Sequence, residues 1–108
     1  MGIVVQKFGG SSVQSTEKLF EICKHITKEY DTGNKVIVVV SAQGKTTDNL
    51  IKDAKEISES LDKRELDVLM SVGEQITISK LSMCLKKIGY NAISLAGWQI
   101  PIKTNNKY

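Results

Sequence analysis

The chain alternates between two hydrophobic rhythms. Ile3-Val4-Val5-Gln6-Lys7-Phe8 is a largely β-branched run that stops at Gly9-Gly10, which predicts a first strand and a sharp turn. Apolar positions then recur at helical spacing, through Leu19, Ile22, Cys23, Ile26 and Tyr30, and predict a helix that ends at Asp31. Either Ser12 or Ser15 is placed to cap it. Gly33-Asn34 breaks the pattern. Val36 to Val40 is a run of five β-branched residues without alternation, as expected of a parallel-sheet strand buried on both faces.

A polar loop over Ala42 to Thr47 leads to a helix with Leu50, Ile51, Ala54, Ile57 and Leu61 as its inward stripe. Asp62 and Glu65 have the spacing of a capping box and open a short helix over Leu66 to Val72. Gly73 is expected to interrupt it. Glu74 then begins another helix, with Ile78, Leu81, Leu85 and Ile88 apolar, which Gly89 ends. Ala92 to Leu95 reads as a third short strand. The order strand, helix, strand, helices, strand predicts an α/β fold with a mainly parallel sheet and helices on both faces.

Composition narrows the function without deciding it. At 108 residues the chain has the length of one domain, and 41% hydrophobic with 25% charged residues is ordinary for a globular protein. The net charge of +3 is mild, and its basic residues are spread along the chain without interleaved aromatics. Nucleic-acid binding is therefore not expected. Cys23 and Cys84 lie among apolar neighbours with no Cys-x-x-Cys pair, and His25 falls with Glu21 and Lys28 on a polar face. Neither completes a metal site; two buried thiols in a reducing compartment are the expectation. No run is long and apolar enough to span a bilayer and no signal-peptide layout is present, so the chain reads as cytoplasmic and not membrane-bound.

Ligands of open α/β sheets bind beyond the carboxyl ends of the strands, and two such ends carry polar, glycine-containing loops. The first is Lys7-Phe8-Gly9-Gly10-Ser11-Ser12. Glycines admit a close anion, a following helix aims its amides there, and Lys7 adds a full charge, which suits phosphate binding and phosphoryl transfer. As a bare pattern a Gly-Gly turn is more often only a turn. The second is Ser41 to Asp48, with Gly44-Lys45-Thr46 where a P-loop would sit. That motif needs a glycine five positions before Gly44, where this chain has Val39, so a P-loop NTPase is rejected as the leading reading. Thr46 or Thr47 is equally placed as a plain helix cap. The third is Gly73-Glu74, where a glutamate at a helix start would ordinarily serve the helix dipole.

Together these loops resemble the aspartate kinases of the amino-acid kinase family. Val5 to Val13 matches that family's amino-terminal signature. Val40 to Asp48 is similar to its second substrate loop, Ser71-Val72-Gly73-Glu74 to its Gly-Glu element, and Gly97-Trp98-Gln99 to a fourth landmark. The matches run in family order along the whole chain. Acetylglutamate, glutamate and uridylate kinases share the fold but differ in these loops.

The resemblance implies ATP-dependent phosphorylation of the L-aspartate side-chain carboxylate, the first step toward lysine, threonine and methionine. By the same resemblance Lys7, Phe8, Gly9, Gly10 and Ser11 contact ATP, with Lys7 catalytic, and Ser41, Thr47 and Glu74 hold aspartate. ATP is the co-substrate and brings Mg²⁺ with it. The parent enzyme is implied to be a homo-oligomer. Two departures stand out. Ile100-Pro101 replaces small residues of the family, and residues 1–108 correspond only to the amino-terminal portion of a kinase catalytic domain. The rest of that domain and the ACT regulatory domains would carry a catalytic Asp, an Arg for the substrate and the base pocket, so this portion alone is expected to be inactive. A binding module that uses the aspartate loops without catalysis is the rival from another class.

Overall fold

In the computed structural model, residues 2–96 and Gln99 are described. The elements are β1 (Ile3–Phe8), α1 (Thr16–Asp31), β2 (Lys35–Val40), α2 (Gly44–Ile57) and α3 (Lys63–Lys87). β1 and β2 pair in parallel, from Ile3 opposite Lys35 to Phe8 opposite Val40, with α1 as the crossover. Gly97, Trp98, Ile100 and Pro101, which carry the fourth landmark and its departure, lie outside the described residues.

The helix ends follow from local chemistry. The Ser15 hydroxyl accepts from the Lys18 amide at 3.2 Å, which settles the choice of α1 cap against Ser12. The Asp62 carboxylate accepts from the Glu65 amide at 3.0 Å and opens α3. Gly33 and Gly89 close α1 and α3 with φ of +96° and +95°, a left-handed turn that side-chain-bearing residues resist.

Both strands alternate between faces. Phe8, Val36, Val38 and Val40 point inward onto Leu19, Ile22, Cys23 and Ile26 of α1 and Leu81, Cys84 and Leu85 of α3. The opposite face presents Ile3, Val5, Ile37 and Val39, each between 46 and 68% exposed. The unbroken apolar run of β2 thus corresponds to two apolar faces, of which one is covered among the described residues. α2 packs on α3.

Four expectations change. α2 begins at Gly44, so the polar loop shrinks to Ser41–Gln43, and the N-cap is Gln43 rather than a threonine. Gly73 does not interrupt anything: α3 is one helix of 25 residues. Residues 92–95 form no strand among the described residues. Ile57 and Ile88 are exposed rather than inward. No helix among the described residues is long and apolar enough to cross a membrane.

Candidate phosphate and acceptor site

Two loops and the middle of one helix meet at the carboxyl end of the sheet. The Ser41 amide donates to the Phe8 carbonyl at 3.2 Å, extending the parallel ladder one step past the strands. Beyond it the chain folds Gly9 to Ser12 into a turn closed by the Ser12 amide on the Gly9 carbonyl at 3.1 Å. A β-carbon on Gly10 would stand 3.0 Å from the Ala42 carbonyl oxygen and 3.4 Å from the Gly44 backbone. Any residue with one would push the loops apart by a few tenths of an ångström. Gly9 has open space where its β-carbon would be, so room remains for a ligand against its backbone.

α3 approaches from the other side. A β-carbon on Gly73 would come 2.8 Å from the Ala42 β-carbon and 3.5 Å from the Thr46 methyl. The helix tolerates a buried glycine because the second loop occupies that volume. Thr77, fully buried, donates its hydroxyl to the Gly73 carbonyl at 3.2 Å.

The other expected site residues fall into four places. Phe8 and Ser11 line a depression of about 260 Å³ together with Ser12, Lys18, Glu21, Ile22 and His25. Ser41 and Thr47 are half-buried, Ser41 just past β2 and Thr47 in the first turn of α2. Glu74 is exposed in mid-α3, one residue from the Gly73 contact, and therefore far from the helix start where a dipole role was expected. Lys7 lies exposed on the outward sheet face, in register with Val39. Among the described residues the single ion pair is Arg64–Glu65, so neither Lys7 nor Glu74 is neutralised by a neighbour.

Three contributors escaped the sequence reading. Lys18 donates its ammonium to the Ser11 carbonyl at 3.0 Å, placing a second positive charge beside the glycine turn. Its position three residues after the Ser15 cap is the signal that would have flagged it. Lys45 and Lys18 border a second depression of about 360 Å³ with Gln14, Ser15, Gln43 and Thr46. The start of α2 there has no side-chain cap and no acidic residue in its first turn, leaving its amide dipoles available to an anion. Gln43 itself crosses between the loops, and nothing in its local sequence announces that.

The chain matches the amino acid kinase family over residues 2–107. It belongs to that family. Curated relatives include the aspartokinase of Geobacillus stearothermophilus, 51% identical over 108 residues, covering all of this chain and 26% of that protein. Aspartokinase 2 of Bacillus subtilis is 52% identical over 104 residues, covering 96% of this chain and 26% of its own length. Among solved structures, aspartate kinase from Synechocystis superposes with a TM-score of 0.82 at 46% identity, over 86% of this chain and 16% of that one. The chain thus spans about a quarter of the length of these curated relatives. In this member of the amino acid kinase family, the described residues hold a parallel strand pair, three helices and the strand-end loops.

The core beneath the site holds both cysteines. Cys23 and Cys84 are both buried between α1 and α3. Burial, with the neighbouring Cys84 thiol adding to it, pushes Cys23 up to about 11, and burial raises Cys84 as well. Both remain thiols at neutral pH.

Proposed function

We propose that this chain is the amino-terminal part of an aspartate kinase, which transfers the γ-phosphoryl group of ATP to the side-chain carboxylate of L-aspartate. The observation that carries the reading is the contact of the two strand-end loops at Gly10, Ala42 and Gly44, with Gly73 of α3, the residue before Glu74, packed against Ala42. The identity to aspartokinases along the entire chain supports the choice of substrate.

The chemistry asks for little beyond charge and position. A carboxylate with a pKa near ~3.9 is already ionised at neutral pH, so no general base is needed. The barrier is the approach of two anions. Lys7 and the amides of Gly9 to Ser11 screen the phosphoryl oxygens, and Lys18 holds the turn that presents those amides. Ser41 and Thr47 bind the acceptor from the second loop, and Glu74 pairs with its α-ammonium. Mg²⁺, which neutralises phosphate charge in such transfers, arrives with the nucleotide. Among the described residues no group of three His, Cys, Asp or Glu side chains could hold a metal ion. The 108-residue portion alone is expected to be inactive.

The test is ADP release by the full-length protein with ATP and aspartate, combined with hydroxylamine trapping. An acyl phosphate gives a hydroxamate under those conditions. Aspartate-dependent hydroxamate is the expected result. ADP release without it, or release that is indifferent to aspartate, would sink the assignment.

A further inference from the structure

The loop contact that carries the function has almost no directional bonds of its own. Gly10, Ala42 and Gly73 meet as bare backbone and one methyl, surfaces that can slide past one another. The ladder bond from Ser41 to Phe8 fixes only the base of the loops. One side chain bridges them farther out. Gln43 donates its amide to the Val13 carbonyl at 2.8 Å and accepts from the Lys80 ammonium at 3.4 Å.

We propose that Gln43 is a positioning residue, a tie that fixes the phosphate loop against the acceptor loop and both against α3. What the loops hold rests on the aspartate kinase reading; the tie itself rests on geometry alone.

The chemistry of the three partners fixes how the amide must lie. A carbonyl cannot donate and an ammonium cannot accept, so the nitrogen faces Val13 and the oxygen faces Lys80. The Val13 anchor is firm, because its side chain is fully buried in the core. Gln43 is also the N-cap residue of α2, yet its side chain makes no capping bond. A Ser, Thr, Asp or Asn there would stabilise the helix better. The side chain is committed to the neighbouring loop instead, at the helix's expense.

Such a tie acts on the reaction through distance. Phosphoryl transfer needs donor and acceptor in near-attack geometry, and misplacement of about 1 Å costs on the order of 10²-fold in rate. Each loop can still bind its own ligand when the tie is cut. The signature is therefore a fall in kcat per folded molecule with both KM values nearly unchanged, the folded fraction being fixed by a melt at the assay temperature because unfolded protein alone also lowers apparent kcat.

The experiment uses Gln43→Met and Gln43→Glu in the full-length protein. Methionine keeps the length but loses both hydrogen bonds; an ionised glutamate keeps the Lys80 contact but turns an acceptor toward the Val13 carbonyl. Both are expected to lower kcat about 5-fold or more, with each KM within about 2-fold. Amide hydrogen exchange is measured alongside, and should quicken about 5-fold across Gly9–Val13 and Ala42–Thr46. Lowered melting temperatures with unchanged kcat and unchanged exchange would overturn the proposal. If the unmodified protein turns over no aspartate, the functional reading fails, and the exchange result alone decides whether the tie exists.

Discussion

Gly73 of α3 and Ala42 of the second loop touch so closely that a β-carbon on Gly73 would lie 2.8 Å from the Ala42 methyl. In an open helix, Gly→Ala stabilises by about 1 kcal/mol. Here the same change forces either α3 or the Ser41–Gln43 loop outward. Gly73→Ala is expected to destabilise by roughly 1–3 kcal/mol, as overpacked sites do. It should also raise the KM for aspartate, because Ser41 and Thr47 flank the displaced residues. Urea melts and steady-state kinetics check both, and a stabilised variant with normal kinetics would show that the loop yields freely.

Lys7 faces away from the helices and has no ion-pair partner among the described residues, so its charge is available to a substrate. Lys7→Ala in the full-length protein is expected to lower kcat by about 10²-fold or more, near the ~3 kcal/mol typical of one preorganised charge. Folding should be almost unaffected, since Lys7 supports no core contact. Equal kcat in the two proteins would remove Lys7 from the transfer step.

Glu74 sits well inside α3, which begins at Lys63, so the helix dipole gives it no stabilising role. Glu74→Gln should therefore leave the melting temperature within error. Loss of a charge-assisted hydrogen bond of about 1.5–3 kcal/mol should raise the KM for aspartate about 10- to 150-fold, with that for ATP steady. A normal aspartate KM would place the ammonium elsewhere.

The buried thiols give a pH signature. Cys23 is raised from 9.0 to about 11 in the folded chain, and Cys84 is raised too. Above pH 9 the unfolded chain releases these protons while the folded chain keeps them, so the unfolded state is favoured increasingly. The stability attached to them is complete below pH 9 and is lost as pH rises toward 11. Urea midpoints measured between pH 8 and 10.5 should fall, and fall less steeply in Cys23→Ala, whose starting midpoint is lower. Parallel slopes would mean that Cys23 does not titrate in the unfolding equilibrium.

Much of this was legible in the residues. β1, α1 and β2 announce themselves by rhythm and by the Gly33 stop, the end of α3 by Gly89, and the strand-end loops by their glycines. α3 was misread because Gly73 and the polar Ser71, Glu74 and Gln75 interrupt its apolar stripe. Tertiary contact with Ala42 explains the glycine, and a sequence cannot display that contact. The third strand failed because Ala92 to Leu95 packs beside the core through Ala92 without joining the ladder. Lys18 and Gln43 act across turns and between loops, over separations that periodicity does not register.

The outward face of the sheet has a consequence for handling the molecule. Ile3, Val5, Ile37 and Val39 form a β-branched patch facing solvent, beside strand edges that no other described strand covers. Such a surface favours self-association in water through edge pairing and stacking. The net charge of +3 lies toward the low end of what keeps a small domain dispersed. Produced alone, residues 1–108 would self-associate increasingly as their concentration rises, so the yield of monomer would depend on concentration.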